Sequence, residues 1–156
     1  MELQDKMNEE LAMEFFHGGL DCSQVVFGHC AERLGLDEET AAKIASMFGA
    51  GMWSGNICGC VTGALMALGA IYGHSELGNQ KSKDLALSKK VEFERRFQEI
   101  EESNGSLLCR GILGYDFSKP EDIEKILENN LLDEICPVVT AQVCDILDDM
   151  MDEAGV

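Results

Sequence analysis

The stretch CGCVTGALMALGAIY, residues 58–72, decides how the rest of the chain must be arranged. It has no charged side chain, and its apolar residues surround a helix instead of forming one stripe. Such a helix is stable in a globular protein only when it is buried, so we expect a central helix over about residues 60–72. The continuously apolar part, residues 57–72, is shorter than the roughly 20 residues that cross a bilayer, and it contains three glycines. We therefore predict a core helix and no membrane insertion.

Helical periodicity and capping residues predict more helices on both sides of this core. Asp21 and Asp37 are typical N-caps, Ser118 opens a segment with Pro120 in its first turn, and Pro137 opens the last helix. No segment alternates with the period of a β-strand. We expect an all-α fold: a single compact domain over residues 1–156 with six or seven helices, arranged as a bundle or an orthogonal array around the apolar helix. The predicted helices cover about residues 2–17, 22–34, 38–48, 60–72, 83–102, a segment from 118 onward, and 138–153.

Net charge and the N-terminal sequence limit where the protein works and what it binds. The 156 residues include 12 Lys and Arg against 29 Asp and Glu, a formal charge of −17. This charge repels phosphate backbones and anionic membranes, so we expect no nucleic-acid binding. Residues 1–5, MELQD, lack the basic and apolar regions of a signal peptide, so we expect a cytoplasmic protein. Cytoplasmic thiols stay reduced, and the seven cysteines are therefore not expected to form a disulfide framework.

Four of the cysteines occupy positions that suit chemistry. Cys22, Cys58 and Cys136 lie at predicted helix N-termini, where free backbone N–H groups and the helix dipole lower the pKa of a thiol. Cys109 lies in a glycine-rich segment, residues 104–116, for which we predict a loop that lets the backbone approach whatever the sulfur binds. The thiolate is the form needed both for disulfide exchange and for binding metals.

The remaining three cysteines are different. Cys30 and Cys144 follow Cys22 and Cys136 by eight residues, about two helical turns, and are interpreted as small buried hydrophobic residues. Cys60 is two residues from Cys58, and residues two apart on a helix do not face each other. If Cys58 precedes the helix, however, both sulfurs could reach a common point, so the role of Cys60 stays open.

Spacing alone does not define a metal site. Cys22, Cys58, Cys109 and Cys136 form no Cys-x-x-Cys pair, so neither a zinc ribbon nor a ferredoxin-type loop is present locally. A shared site would have to be assembled by the fold from distant segments.

The cysteines and their neighbours resemble a known family, the C–GCAxxG–C–C proteins of redox type. The resemblance runs from about Gly18 to the C-terminus and rests on CSQVV at 22–26, FGAGM at 48–52, CGCVTGALMALG at 58–69, Cys109-Arg110 with LGYD at 113–116, and Cys136-Pro137. It implies a small all-helical protein whose four characteristic cysteines are Cys22, Cys58, Cys109 and Cys136. Relatives include a domain of the split-Soret type of cytochrome c, in which four cysteines accompany an iron–sulfur centre. The haem of those relatives is not expected in this protein, because the sequence has no Cys-x-x-Cys-His motif. The sequence also departs from the family pattern at Cys60, where the family usually has Ala.

Three functions remain open at this point, and with them whether the protein is an enzyme. The first is electron transfer to a redox partner protein through an iron–sulfur cluster on Cys22, Cys58, Cys109 and Cys136, with Cys60 as a fifth candidate ligand. The second is thiol–disulfide exchange, with Cys58 as the nucleophile and Cys22 or Cys109 resolving. The third is binding or storage of a soft metal such as zinc or copper(I) without catalysis. A helical interaction module with incidental cysteines is the alternative to all three, and small residues on the central helix could support a homodimer.

Overall fold

A computed structural model describes residues 3–156, and within that range the regular secondary structure is helical. The one β-type pairing in this range is an isolated antiparallel bridge between Ile57 and Leu108. The all-α prediction is confirmed. The helices are α1 (Glu9–His17), α2 (Cys22–Ala31), α3 (Glu38–Ala45), α4 (Gly59–Tyr72), α5 (Gln80–Gln98), α6 (Cys109–Leu113), α7 (Pro120–Glu128), α8 (Leu131–Glu134) and α9 (Cys136–Ala154), with a 3₁₀ turn at Glu101–Ser103.

Helix α4 is the apolar helix predicted from the sequence, and it packs against α2, α5 and α9. Its contact with α2 is close because Gly63 faces that helix: a Cβ atom at Gly63 would lie 2.8 Å from the carbonyl oxygen of Ser23. Helix α3 packs on α2, and α1 packs on α9. In the described part of the chain, no helix has the length and hydropathy that a membrane crossing requires.

The outer helices bury the side chains that helical periodicity assigns to their inner faces. Phe93 and Phe97 of α5 are fully buried, as are Val143 and Leu147 of α9. Burying an aliphatic or aromatic side chain of this size contributes about 1.5–3 kcal/mol relative to leaving it in water. The hydrophobic pattern therefore predicts both the type and the orientation of these helices correctly.

The first helix begins later than predicted. Position 2, the predicted start, lies outside the described residues, but Leu3 and Met7 are buried in the segment that precedes α1. The helix begins at Glu9 because the side chain of Asn8 accepts a hydrogen bond from the backbone N–H of Leu11 at 2.8 Å. The helix was predicted from four apolar residues spaced by four, and two of them, Leu3 and Met7, instead lie in the buried segment before the helix.

Other boundaries differ in smaller ways. Helices α2 and α3 end at Ala31 and Ala45, some three residues before the predicted ends, and α5 starts at Gln80 because the Asn79 side chain caps it. Helix α6 was not predicted, and the single helix predicted from residue 118 through Leu131 is divided into α7 and α8 at Asn130, whose φ is +54°. In particular, the segment around Cys109 was predicted as a loop, whereas Cys109 is the first residue of α6.

Two hydrophobic clusters form, and their boundary positions the site described below. The main core surrounds α4, whereas a smaller cluster joins Cys109 and Leu113 of α6 to Ile126 of α7. Ile135, just before α9, packs against both clusters. The loops and helix starts that carry cysteines lie along this boundary.

Candidate functional site

A cavity of about 170 Å³ opens between the two hydrophobic clusters, and five of the seven cysteines line it. All seven cysteines are free thiols. The other lining residues are almost all apolar, and Asp21 is the only carboxylate among them. The lining residues, together called the cysteine cavity, are Phe16, Leu20, Asp21, Cys22, Ala50, Trp53, Cys58, Gly59, Cys60, Cys109, Ile112, Leu113, Phe117, Leu132, Cys136 and Val139.

Four of these cysteines stand at helix starts from distant parts of the chain. Cys22, Cys109 and Cys136 are the first residues of α2, α6 and α9, and Cys58 immediately precedes α4. The fold thus turns the N-termini of four helices toward one cavity. Sequence reasoning recognised three of these starts and missed the one at Cys109, because a five-residue helix between glycines has too few turns to show periodicity.

A short backbone pairing holds Cys58 beside Cys109. The backbone N–H of Cys58 donates to the carbonyl oxygen of Leu107 at 2.8 Å, and that of Cys109 donates to Asn56 at 2.7 Å. Arg110 reinforces the pairing, since its guanidinium donates to the carbonyl of Gly55 at 3.1 Å and to the side-chain oxygen of Asn56 at 3.2 Å. These contacts tie together two cysteines that are 51 residues apart (109 − 58).

Gly59 brings Cys22 against the start of α4. A Cβ atom at Gly59 would lie 2.4 Å from the Cys22 sulfur and 3.1 Å from the carbonyl oxygen of Phe48. Any larger residue would therefore push the first turn of α2 away from α4. The glycine between Cys58 and Cys60 is required by packing at the site itself.

Cys60 belongs to the same group of thiols. Its sulfur lies 3.3 Å from the hydroxyl oxygen of the buried Thr140 on α9, and it lines the cavity together with Cys22 and Cys58. Because Cys58 is outside the helix with an extended backbone (φ −51°, ψ 136°), its side chain and that of Cys60 both reach the cavity. The sequence feature that indicates a shared position for Cys58 and Cys60 is the location of Cys58 just before a helix start.

The pKa values of the thiols in the cavity are shifted in different directions. The pKa of Cys22 is lowered because the Cys60 thiol donates a hydrogen bond to it, which outweighs burial, and the backbone N–H groups of Ala50 and Ser23 act in the same direction. The pKa of Cys60 is raised well above its usual value by the proton it shares with Cys22 and Cys58, and by burial.

Two other helix starts carry thiols whose pKa is raised. The pKa of Cys109 and that of Cys136 are both raised, first by burial and then by the neighbouring thiolate charges. For Cys136, the expectation that a helix N-terminus lowers the pKa is therefore wrong. Several negative sulfurs can coexist in this apolar space only with a positive group among them.

The wall that faces solvent is a left-handed turn, which sequence analysis did not predict. Residues 50–53 all have positive φ: Ala50 (49°), Gly51 (64°), Met52 (58°) and Trp53 (56°). Three of them are not glycine, and L-residues rarely adopt this conformation. Trp53 lines the cavity and meets Phe117 edge-to-face, with 6.3 Å between ring centroids.

The arrangement contains no ready-made site for a single metal ion. Among residues 3–156, no three His, Cys, Asp or Glu side chains are grouped so that they could hold one ion together. A mononuclear zinc site needs four ligands about 2.0–2.3 Å from the metal. The thiols instead surround a space larger than one ion.

Cys30 and Cys144 lie away from the cavity, in the main core, and both are fully buried. Burial raises the pKa of Cys30 to about 12, and it also raises the pKa of Cys144 well above its usual value. Both residues pack as small hydrophobic side chains.

Comparison with known proteins identifies the sequence around this cavity. The model of the family described as "Putative redox-active protein (C_GCAxxG_C_C)" matches residues 20–150, which include all five cysteines of the cavity. No curated protein and no solved structure matches the chain.

Proposed function

The chain belongs to the C_GCAxxG_C_C family of redox-active proteins, and on that premise we propose that it transfers electrons through an iron–sulfur cluster. Cys22, Cys58, Cys109 and Cys136 would hold the cluster. The observation that carries this proposal is that these four thiols, from four separate segments, line one cavity. Iron–sulfur clusters are held by four cysteine thiolates and exchange single electrons, which is the chemistry the group would supply.

The donor set and the size of the cavity support a group with several metal atoms. The cavity of about 170 Å³ exceeds the space of one ion, and within residues 3–156 no three side chains are positioned for a single ion. The size of the cavity favours a group with several metal atoms over a single zinc or copper(I) ion. A cluster also supplies the positive charge that the buried thiolates lack, because its iron ions offset the repulsion between the sulfurs.

The side chains around the cysteines would exclude water and adjust the potential. Leu132 and Val139 give the cavity apolar walls, and the Cys60 thiol can donate a hydrogen bond toward a coordinating sulfur while Thr140 holds it in place. Solvent exposure and hydrogen bonds to sulfur are the main influences of a protein on the potential of such a group. In this proposal Cys60 is a neighbour of the ligands.

Thiol–disulfide exchange is the second candidate, and one observation favours it: Cys22, Cys58 and Cys60 line the same cavity, and the pKa of Cys60 is raised by hydrogen bonding to the other two thiols. In this scheme Cys22 is the nucleophile, because its pKa is lowered, whereas the sequence analysis predicted Cys58 for that role. The Cys22 thiolate would attack a substrate disulfide and release one thiolate. Cys60 or Cys58, after losing its proton, would then attack the Cys22 sulfur, forming an internal disulfide and releasing the second substrate thiol.

Anaerobic reconstitution with iron and sulfide separates the two candidates. We expect a brown protein with visible absorbance and with bound iron and sulfide, and we expect Cys136→Ser to reduce the bound iron several-fold. Cys144→Ala, which removes a buried thiol outside the cavity, is the matched control and should leave the iron content unchanged. Colourless protein that reduces a model disulfide in both variants would reject the cluster and favour exchange, which does not use Cys136.

A further inference from the structure

An aromatic pair lies on the side of the cysteine cavity that faces solvent. Trp53 and Phe117 both line the cavity, and their rings meet edge-to-face with 6.3 Å between the centroids and 83° between the planes. Trp53 is 51% exposed, whereas the other described residues that line the cavity are buried or half-buried. The two rings therefore cover the part of the cavity that is most open to water.

The two rings come from opposite sides of the boundary on which the cysteines lie. Phe117 packs against the smaller hydrophobic cluster, which includes Cys109 and Ile126. Trp53 is carried by the left-handed turn between α3 and α4, and both of these helices contribute to the main core. The aromatic contact therefore joins the two clusters across the cavity.

The backbone holds Trp53 opposite Phe117 at a cost. Met52 and Trp53 have φ values of 58° and 56°, a conformation that is unfavourable for L-residues. The end of the turn is fixed to the other side of the cavity: a Cβ atom at Gly55 would lie 3.4 Å from the backbone nitrogen of Phe117, and the carbonyl oxygen of Gly55 accepts a hydrogen bond from Arg110 at 3.1 Å. Backbone strain of this kind persists mostly at functional sites.

The contact between the two rings is weak enough to open. An edge-to-face pair contributes only a modest free energy, and half of the Trp53 side chain is already in water. Rotation of an exposed side chain is also much faster than the movement of a helix. Trp53 can therefore leave the cavity while the helices that carry the cysteines stay in place.

We propose that Trp53 and Phe117 form an aromatic gate, which admits the metal-containing group when Trp53 turns outward and shields it from water and oxygen when the rings meet. The inference rests on the proposed function for the identity of the group, but the closure itself concerns only the protein and its thiols. Solvent exposure is one of the main influences on an iron–sulfur cluster, so the gate acts on the group without binding it.

Alkylation of the metal-free protein by N-ethylmaleimide tests the gate, with each labelled cysteine identified by mass spectrometry. Trp53→Ala should speed the labelling of the cavity cysteines about three- to tenfold, the factor that corresponds to the loss of one edge-to-face pair. Met52→Ala is the matched control. Met52 is the next residue on the same turn, has the same backbone conformation and is 44% exposed, but it does not line the cavity, so labelling should keep the wild-type rate.

A second variant tests the other ring. Phe117→Leu removes the ring and keeps most of the apolar volume, and it should act in the same direction as Trp53→Ala. The double variant should be labelled no faster than Trp53→Ala alone, because either change breaks the same contact. Cys30 and Cys144 are fully buried outside the cavity, so their labelling reports unfolding of the whole protein and should not change.

Three outcomes of the labelling would overturn the gate even when a cluster forms: a wild-type rate in Trp53→Ala, equal acceleration in Met52→Ala, or acceleration that extends to Cys30 and Cys144. In reconstituted protein, the visible absorbance should be lost in air several-fold faster in Trp53→Ala than in Met52→Ala, and equal rates would overturn the shielding. If no variant binds iron, the proposed function fails, and the labelling of the metal-free protein still decides whether the gate exists.

Discussion

At the scale of single residues, Gly59 couples the packing of the fold to the geometry of the site. The residue stands between Cys58 and Cys60, and the sulfur of Cys22 occupies the place where a side chain would lie. We expect Gly59→Ala to separate α2 from α4, because the added methyl group would be only 2.4 Å from that sulfur. The variant should lose about 1–3 kcal/mol of stability, the usual cost of overpacking, and should bind less iron on reconstitution.

Gly69 provides the control on the same helix. A Cβ atom there meets no atom within 4 Å, so Gly69→Ala adds only helix propensity. It should raise the free energy of unfolding by about 0.5–1 kcal/mol. Urea unfolding of both variants measures the contrast, and equal effects at the two positions would show that the Cys22 contact does not limit residue size.

At the scale of helices, hydrophobic patterning predicted the long helices but not the short elements. Helix α4 and the inner faces of α5 and α9 follow from many apolar residues at helical spacing. Helix α6 has five residues, and the left-handed turn has a conformation that no propensity favours, so neither has a pattern to detect. The site was predictable to the same degree: helix starts drew attention to Cys22, Cys58 and Cys136. The inclusion of Cys60 depends on how closely α2 and α9 approach α4, which only the packed fold determines.

The pairing between the segments before α4 and α6 can be tested at Arg110. Its guanidinium donates to Gly55 and Asn56, so Arg110→Ala should loosen the segments that carry Cys58 and Cys109. We expect a loss of about 1 kcal/mol and faster labelling of these two cysteines by a thiol reagent. Arg95→Ala is the control, because Arg95 forms an exposed pair with Glu99 one turn along α5 and should cost about 0.3–0.5 kcal/mol. Labelling rates unchanged from those of the wild type would mean that the backbone bonds alone hold the pairing.

At the scale of the whole molecule, a buried histidine joins the start of the described chain to its last helix. His29 on α2 is 3% exposed, and its two ring nitrogens face the carbonyl oxygen of Leu3 at 2.8 Å and the carboxylate of Asp148 at 3.0 Å. Both partners only accept hydrogen bonds, so both nitrogens must donate and the ring is an imidazolium. Arg33 extends the network by pairing with Asp148 at 3.6 Å and with Asp152 at 2.6 Å.

This network makes stability depend on pH in a defined direction. Burial lowers the pKa of His29, but the hydrogen bond and charge of Asp148 outweigh it, and the net pKa is raised above 6.5. A raised pKa means that the folded state holds the proton more tightly than the unfolded state. The stabilisation is therefore complete below pH 6.5 and is lost as the pH rises through the folded-state pKa. Asp148 limits the window at low pH. Burial raises its pKa, but the hydrogen bond and charge of His29 and the charge of Arg33 outweigh burial, so the net pKa is lowered from 3.8. The contribution of Asp148 is therefore present above pH 3.8 and is lost as the pH falls through its folded-state pKa.

We therefore expect the urea midpoint of the wild-type protein to be highest between about pH 4 and 6.5 and to fall from pH 6.5 to 8. His29→Gln should be less stable by about 2 kcal/mol at pH 6, because it removes a charged hydrogen-bond donor to Asp148, and its midpoint should fall less steeply as the pH rises. The comparison between the two proteins is needed because repulsion within a chain of charge −17 also grows with pH and affects both. Parallel midpoint curves for wild type and His29→Gln would contradict the assignment of a charged His29, since the remaining pH dependence would then come from the acidic surface alone.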